Sequence, residues 1–451
     1  MQIPKRRPGP FSHILVTRIL VLAALVGALA STGLWVYLLV PADGSAKSLA
    51  VRTSVQNSPE DITATQAVAT QYMNDFLNHR YHQMWSLLHP QVKTIWSNEQ
   101  TFAAYWNKRF QEYNLRGFTL GQVKLLSSWV NPETMTLYSH VEQVNVSLQL
   151  ELKAGLQQQG QVPPEDLHPG QLFQNLPFIV QHVTDQNSTN GRWLVLNGGP
   201  ADLEAPILPP ITAVVTTVQV PILMYHHISD VPTRNVLDKS LTVTSTMFGS
   251  QLDYLKTQGY HMITFNQLFA ALYYNGPLPT KPVILTFDDG YDDAYRFAYP
   301  ILREHGFSGM FYIITGKVGW QGQMTWAQMR EMLAHGMQMG SHTIHHVDMG
   351  RVFLISPEQA QQEVQLSQSV MQRQLGVAIQ QFCYPSGEPF HHGSWALRHS
   401  VTQLLAANGY VGATTDPGMT GIQQESQSPF VLLRLRVDGR ELLQNFMNGL
   451  L

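Results

Sequence analysis

The chain has 451 residues, long enough for two domains. Its formal net charge of −3, from 28 Lys and Arg against 31 Asp and Glu, argues against nucleic acid as a partner, because such binding rests on clustered positive charge. Cys383 is the sole cysteine, so no intrachain disulfide can form.

Residues 1–18 are a basic segment carrying Lys5, Arg6, Arg7 and Arg18. Residues 19–40 carry no charge, and as a helix they would span roughly 33 Å, enough to cross a bilayer. The basic flank predicts a cytoplasmic N-terminus, with everything after Pro41 on the other side of the membrane. Ala28-Leu29-Ala30 offers a cleavage site that would release a secreted form. The apolar run continues beyond it through Trp35 and Tyr37, which favours an uncleaved anchor. Residues 41–60 lack periodicity and read as a linker.

Residues 61–198 read as a smaller α+β domain. Ala69, Tyr72, Met73, Phe76 and Leu77 recur at helical spacing, and Phe102, Tyr105, Trp106 and Phe110 do so again. From Phe118 the period shifts towards two, and Val144, Val146, Leu148, Leu150 and Leu152 alternate with polar residues as in a half-buried antiparallel strand. Residues 177–185 and 191–197 supply two more strands. Helices followed by a curved antiparallel sheet resemble the nuclear-transport-factor-like cone. His79, His82 and His89 read as surface or cone-lining residues, and no catalytic constellation precedes residue 199. A spacer, dimerisation or ligand-binding role is expected here. Residues 199–217 form a stiff proline-rich connector.

Within residues 218–451, apolar strands at 220–225, 283–287, 309–314, 381–384 and 410–415 alternate with helical patterns at 248–255, 294–302, 324–333, 359–375 and 397–407. This predicts βαβ units and a parallel sheet closing towards a barrel.

The strand Val283-Ile284-Leu285-Thr286-Phe287 stops on Asp288, Asp289 and Gly290. A carboxylate away from water must find a cation, a metal or hydrogen-bond donors. At the C-terminal end of a parallel strand, side chains open on the face where α/β proteins keep their sites. Neighbouring residues point differently there, so one aspartate can hold a metal while the other faces substrate. Alone, the stretch reads equally as a strand entering an Asp-Gly turn. A second stretch, Ser341-His342-Thr343-Ile344-His345-His346, weighs for a site. His342 and His346 are four apart, a spacing that a helical turn brings to one face. Two imidazoles with one carboxylate are a common ligand set for zinc and its neighbours.

Thr286-Phe287-Asp288-Asp289-Gly290 and the histidine stretch together resemble the first two motifs of the polysaccharide deacetylases, carbohydrate esterase family 4. Pro221-Ile222-Leu223-Met224-Tyr225-His226-His227-Ile228 is similar to the opening strand of one branch of that family. The resemblance covers about residues 218–451. It implies an α/β fold, a distorted (β/α)7 barrel, here preceded by a transmembrane helix and the smaller α+β domain. It implies a divalent metal ion, zinc first with cobalt or nickel as alternatives, held by Asp289, His342 and His346, with Asp288 as the catalytic base. The implied substrate is an N-acetylated polysaccharide of the cell envelope or exterior, O-acetyl esters being the variant.

Phe382-Cys383-Tyr384-Pro385-Ser386-Gly387 resembles the third motif, which would place Tyr384, Pro385 and Ser386 at the substrate, with the Ser386 N–H on the oxyanion. Two departures stand out. Cys383 occupies the place of an arginine that orients the base, and no histidine stands in Leu432-Leu433-Arg434-Leu435-Arg436-Val437-Asp438, where the family keeps its acid. Arg434 is the candidate for the first role. His226 is the candidate acid, with His391 and His392 as others. A glycan-binding protein that has lost turnover, and a metal-dependent amidase of small molecules, stay open as alternatives.

Overall fold

The computed structural model describes residues 59–153, 173–184, 191–210, 215–233, 235–416 and 421–450. The basic segment, the expected membrane span 19–40 and nearly all of the linker lie outside these. Among the described residues no helix is long and apolar enough to cross a membrane. The described residues from Ile62 onward form one compact unit.

The smaller part of this unit begins with helix α1 (Pro59–Leu77) and helix α2 (Glu99–Phe110). Asn98 caps α2 by accepting the Thr101 N–H at 2.9 Å, while Lys108 and Arg109 occupy the last turn, where cations suit the helix dipole. Both helices bury their apolar stripes against a four-stranded antiparallel sheet in simple chain order: β1 (Tyr113–Val130), β2 (Leu137–Leu152), β3 (Phe173–Val183) and β4 (Arg192–Gly198). Val144, Val146, Leu148 and Leu150 are all buried, so the alternation read from the sequence faces the helices.

The second part is a parallel α/β sheet. Its strands are β5 (Ile222–Tyr225), β6 (Pro282–Phe287), β7 (Met310–Ile313), β8 (Gln338–Ser341), β9 (Gln381–Cys383), β10 (Gly412–Thr414) and β11 (Leu435–Arg436). They lie in the order β10-β9-β8-β7-β6-β5-β11. The sheet curls until residues 432–436 reach both of its edges. Leu432 bridges Thr414 on β10, and Leu435 pairs with Leu223 on β5. The result is an α/β half-barrel laced across its open side by one short segment. All the motifs sit at or just beyond strand C-terminal ends.

Helix α3 (Phe265–Tyr274) has no counterpart among the expected elements. Phe-Asn-Gln-Leu-Phe-Ala-Ala-Leu-Tyr-Tyr buries every residue but Asn266, and a helix this apolar is a buried one. It lies between the two parts. Tyr274 packs edge-on against Tyr105, Asn266 donates to the Glu204 carbonyl at 2.6 Å, and Asn275 accepts from Lys108 at 3.1 Å. The expected connector is packed as well. Pro200, Ala201, Leu203, Ala205 and Ile207 are buried, and Arg109 donates to the carbonyls of Asp202, Ala205 and Pro206. Phe269 of α3 fills the space over Gly412, where an added Cβ would lie 2.4 Å from its ring. Phe269→Ala should therefore cost about 3–5 kcal/mol, read as a lowered urea midpoint, with both parts of the unit losing structure in one transition.

Candidate active site

β6 ends at Phe287, but the Asp288 N–H still donates to the Tyr225 carbonyl at 2.9 Å, which keeps the ladder for one more residue. Asp289 then turns into left-handed backbone, φ +72°, and Gly290 follows at +73°. An L residue rarely adopts this region, and here it sends two neighbouring carboxylates to different partners.

Asp288 faces Arg434. The two terminal guanidinium nitrogens meet its two oxygens at 2.8 and 2.9 Å, a bidentate pair that is 1% and 4% exposed. Arg434 is fixed in turn by donating to the Thr415 carbonyl at 2.6 Å, Thr286 Oγ1 at 3.1 Å and Cys383 Sγ at 3.3 Å. Burial pushes the Asp288 carboxyl up, but the Arg434 guanidinium, together with His226 and His342, holds it below the usual carboxylate range. The cation that is missing at Cys383 thus arrives from the far end of the chain.

Asp289 faces the two histidines. Its Oδ1 lies 3.4 Å from His342 Nε2 and 3.3 Å from His346 Nε2, and it is buried without a hydrogen-bond partner. His342 Nδ1 lies 2.8 Å from the Cys383 carbonyl, which only an N–H at that nitrogen satisfies. In the neutral ring, Nε2 then turns its lone pair towards Asp289. Burial pulls His342 down, but the Cys383, Asp289 and Asp288 side chains outweigh it and hold the imidazole well above its usual range. A cation there would have to displace the Nε2 proton. Burial, with the neighbouring His342, lowers His346 to about 4 and leaves it a neutral imidazole. An orphaned carboxylate oxygen between these two nitrogens, each residue's ligand atom within 4.8 Å of the others, fits a divalent cation. Asp288, His342 and Cys383 also come within that distance. There, however, both Asp288 oxygens and the sulfur already face Arg434, and a metal would sit against a guanidinium.

The spacing of four does not reflect a helical turn, as the sequence led us to expect. Residues 342–346 are an irregular loop beyond β8, with Thr343 at φ +65° and His346 at +58°, and the two rings meet at 4.9 Å. Thr343 Oγ1 accepts the His346 N–H at 2.9 Å. Helix α4 (Pro357–Leu375) supplies the remaining supports. Glu363 accepts the N–H groups of Ile344 and His345 at 2.9 and 3.0 Å and pairs with His345 Nδ1 at 2.6 Å, while Ser367 meets Ser341 Oγ at 2.8 Å. Sequence reading missed Glu363. The signal was present: Glu363 and Ser367 fall on the stripe of Ala360, Val364, Met371 and Leu375, where a polar residue calls for a partner.

The register Phe287↔Tyr225 brings His226 beside Asp288. Burial lowers its pKa, against the pull of Asp288 and Asp289. His391 lies 3.4 Å from the Asp416 carbonyl, and His392 is exposed and paired with Glu388. In the third motif Cys383 is buried, and the Tyr384 ring is buried against Phe382 and Phe390. Pro385 is buried too, and Ser386 is exposed at φ +54°. Tyr384 and Pro385 therefore shape the loop through their backbone. His79 and His82 bond locally, to Tyr81 and Glu99, far from this end of the sheet in sequence and in fold.

Residues 275–410 match the sequence pattern of the polysaccharide deacetylases. YxkH of Bacillus subtilis (strain 168), assigned to the same family, is 32% identical over 222 residues, which cover 49% of this chain and 71% of that protein. The chain belongs to the polysaccharide deacetylase family. A poly-β-1,6-N-acetyl-D-glucosamine N-deacetylase of Staphylococcus aureus (strain MSSA476) is 29% identical over 119 residues, 24% of this chain and 40% of that enzyme. Among solved structures, the Streptococcus pyogenes deacetylase PplD in complex with acetate is 28% identical over 52% of this chain and all of that one, with a TM-score of 0.46.

Metal affinity should depend on the loop's supports as well as on its imidazoles. Glu363→Ala is expected to weaken zinc binding by about 10–100-fold, the usual effect of removing an outer partner, with little change in the melting temperature of the metal-free protein. Competition with a chromophoric chelator measures it, and unchanged affinity would release Glu363 from this role.

Proposed function

We propose that this family member is a metal-dependent hydrolase that removes acetyl groups, N-acetyl foremost, from a polysaccharide of the cell envelope or exterior. We further propose that residues 19–40 anchor it in the membrane with the catalytic part outside. The observation that carries the metal is the orphaned Asp289 Oδ1 between His342 and His346. The similarity to the staphylococcal enzyme supports an N-acetylglucosamine polymer as the substrate class.

An amide resists attack by water because its carbonyl is a poor electrophile and its amine a poor leaving group. A divalent cation held by Asp289, His342 and His346, zinc first, supplies Lewis acidity for the acetyl carbonyl and lowers the pKa of water. Asp288 takes the proton from the attacking water. It is ionised despite its burial, and Arg434 fixes both of its oxygens, so it needs no reorganisation to act. The Ser386 N–H is the donor assigned to the developing oxyanion. His226 is assigned the proton for the departing amine, being the imidazole next to Asp288 in register. Its lowered pKa suits it to receive a proton during turnover and pass it on, rather than to enter the reaction charged.

Acetate release from N-acetylglucosamine oligomers tests the assignment. Asp288→Asn should leave bound metal near the wild-type level and abolish turnover, because the amide is near-isosteric but not a base. Asp289→Asn should lose both. An Asp288→Asn protein with most of its kcat would remove Asp288 from the base role.

A further inference from the structure

At the opposite end of the strands from Asp288 lies a cavity of about 630 Å³, within the range of roughly 300–1,000 Å³ typical of ligand sites. The smaller part contributes Trp96, Glu133 and Met135 to its wall, and the α/β part contributes Tyr260, Leu278 and Phe307. β6 runs from Pro282, which pairs with His261 on the cavity rim, to Phe287 at the catalytic end. At about 3.3 Å per residue, roughly 20 Å separates the two sites.

The cavity lining is mixed, with Thr94, Ser97 and Gln267 beside the aromatic residues, and one acid of its wall stands out. Glu133 is only 9% exposed, and its Oε1 is buried with no hydrogen-bond partner. It is held there by design of the turn: Asn131 Oδ1 accepts the Glu133 N–H at 2.8 Å, and Met135 is wedged over Gly336, where an added Cβ would lie 2.8 Å from its sulfur. Two cations among the described residues of this region are committed elsewhere. Arg109 directs its terminal nitrogens at Tyr105 Oη and at the carbonyls of Asp202, Ala205 and Pro206. Lys281 donates to the Gln258 carbonyl at 2.8 Å. Burial pushes the Glu133 carboxyl well up, and the Asp202 and Glu204 carboxylates add to that. A carboxylate so placed either keeps a proton or meets a cation, since leaving it charged and unpaired costs several kcal/mol.

We propose that this cavity between the two parts is a second ligand site, which binds the protonated amine of an amino sugar, with Glu133 as its counter-ion and Trp96, Tyr260 and Phe307 as the apolar wall for the ring. The choice of an amino sugar rests on the proposed deacetylase activity, which converts a neutral amide into that ammonium. The site would then hold the product, a deacetylated stretch of glycan, away from the catalytic end. The binding arm does not depend on turnover, so its failure leaves the deacetylase reading intact.

The probes are glucosamine, N-acetylglucosamine and glucose, titrated calorimetrically into the full-length protein at neutral pH. Glucosamine should bind at least tenfold more tightly than either neutral sugar and should raise the melting temperature. Glu133→Gln should abolish that preference and the thermal shift while leaving acetate release unchanged. Asp288→Asn should keep both. Equal binding of the three sugars, or a glucosamine preference that survives in Glu133→Gln, would overturn the proposal. Loss of the preference in Asp288→Asn alone would do so too, by moving the ammonium to the catalytic end.

Discussion

Two carboxylates cannot sit side by side in a buried strand end unless each has its own positive partner. In this chain Asp288 has the Arg434 guanidinium, and Asp289 has a place beside His342 and His346 that fits a divalent cation. The left-handed backbone at Asp289 makes that division possible by turning the second side chain away from the first. Much of the surrounding structure serves this arrangement. Thr415 and Thr286 hold the guanidinium, and the Cys383 carbonyl sets the His342 tautomer. α4 then fixes the loop that carries His346.

Backbone strain marks the same place. Asp289, Thr343, His346 and Ser386 all adopt positive φ. Each would relax at a cost to the site: the carboxylates would converge, the imidazoles separate, or the third-motif loop change course. Such strain persists only where the surroundings over-determine it. Here the surroundings are a parallel sheet whose strand ends meet at one point, and helices whose polar residues lie on buried faces.

Most of the strands, the alternation in β2 and the metal-motif residues were legible in the sequence because each carries a local signature: period two, an apolar run ended by carboxylates, paired histidines. The role open to Arg434 was legible through a gap, since a base aspartate without its arginine must find another cation. What escaped was non-local. α3 is a short helix whose partners, Tyr105 and Gly412, lie far from it in the chain. Glu363 lies in a different element from the histidines it supports, marked only by a polar residue on an apolar face. The route by which His342 and His346 converge was misread, because a spacing of four suggests a helix while the actual loop depends on contacts with α4 and on Thr343. The proline-rich stretch after residue 199 showed its stiffness but not its burial, because what buries it is Arg109 and α3, which lie elsewhere in the chain.

The central claim is that the metal belongs to Asp289, His342 and His346 and not to the overlapping trio of Asp288, His342 and Cys383. X-ray absorption at the zinc edge of the full-length protein separates the two directly, because zinc–sulfur and zinc–nitrogen or –oxygen distances differ by about 0.2–0.3 Å. The account predicts a first shell of nitrogen and oxygen only, at about 2.0–2.2 Å, with the multiple scattering of two imidazoles. A sulfur scatterer near about 2.3 Å with a single imidazole would contradict it, and would hand the metal to Cys383.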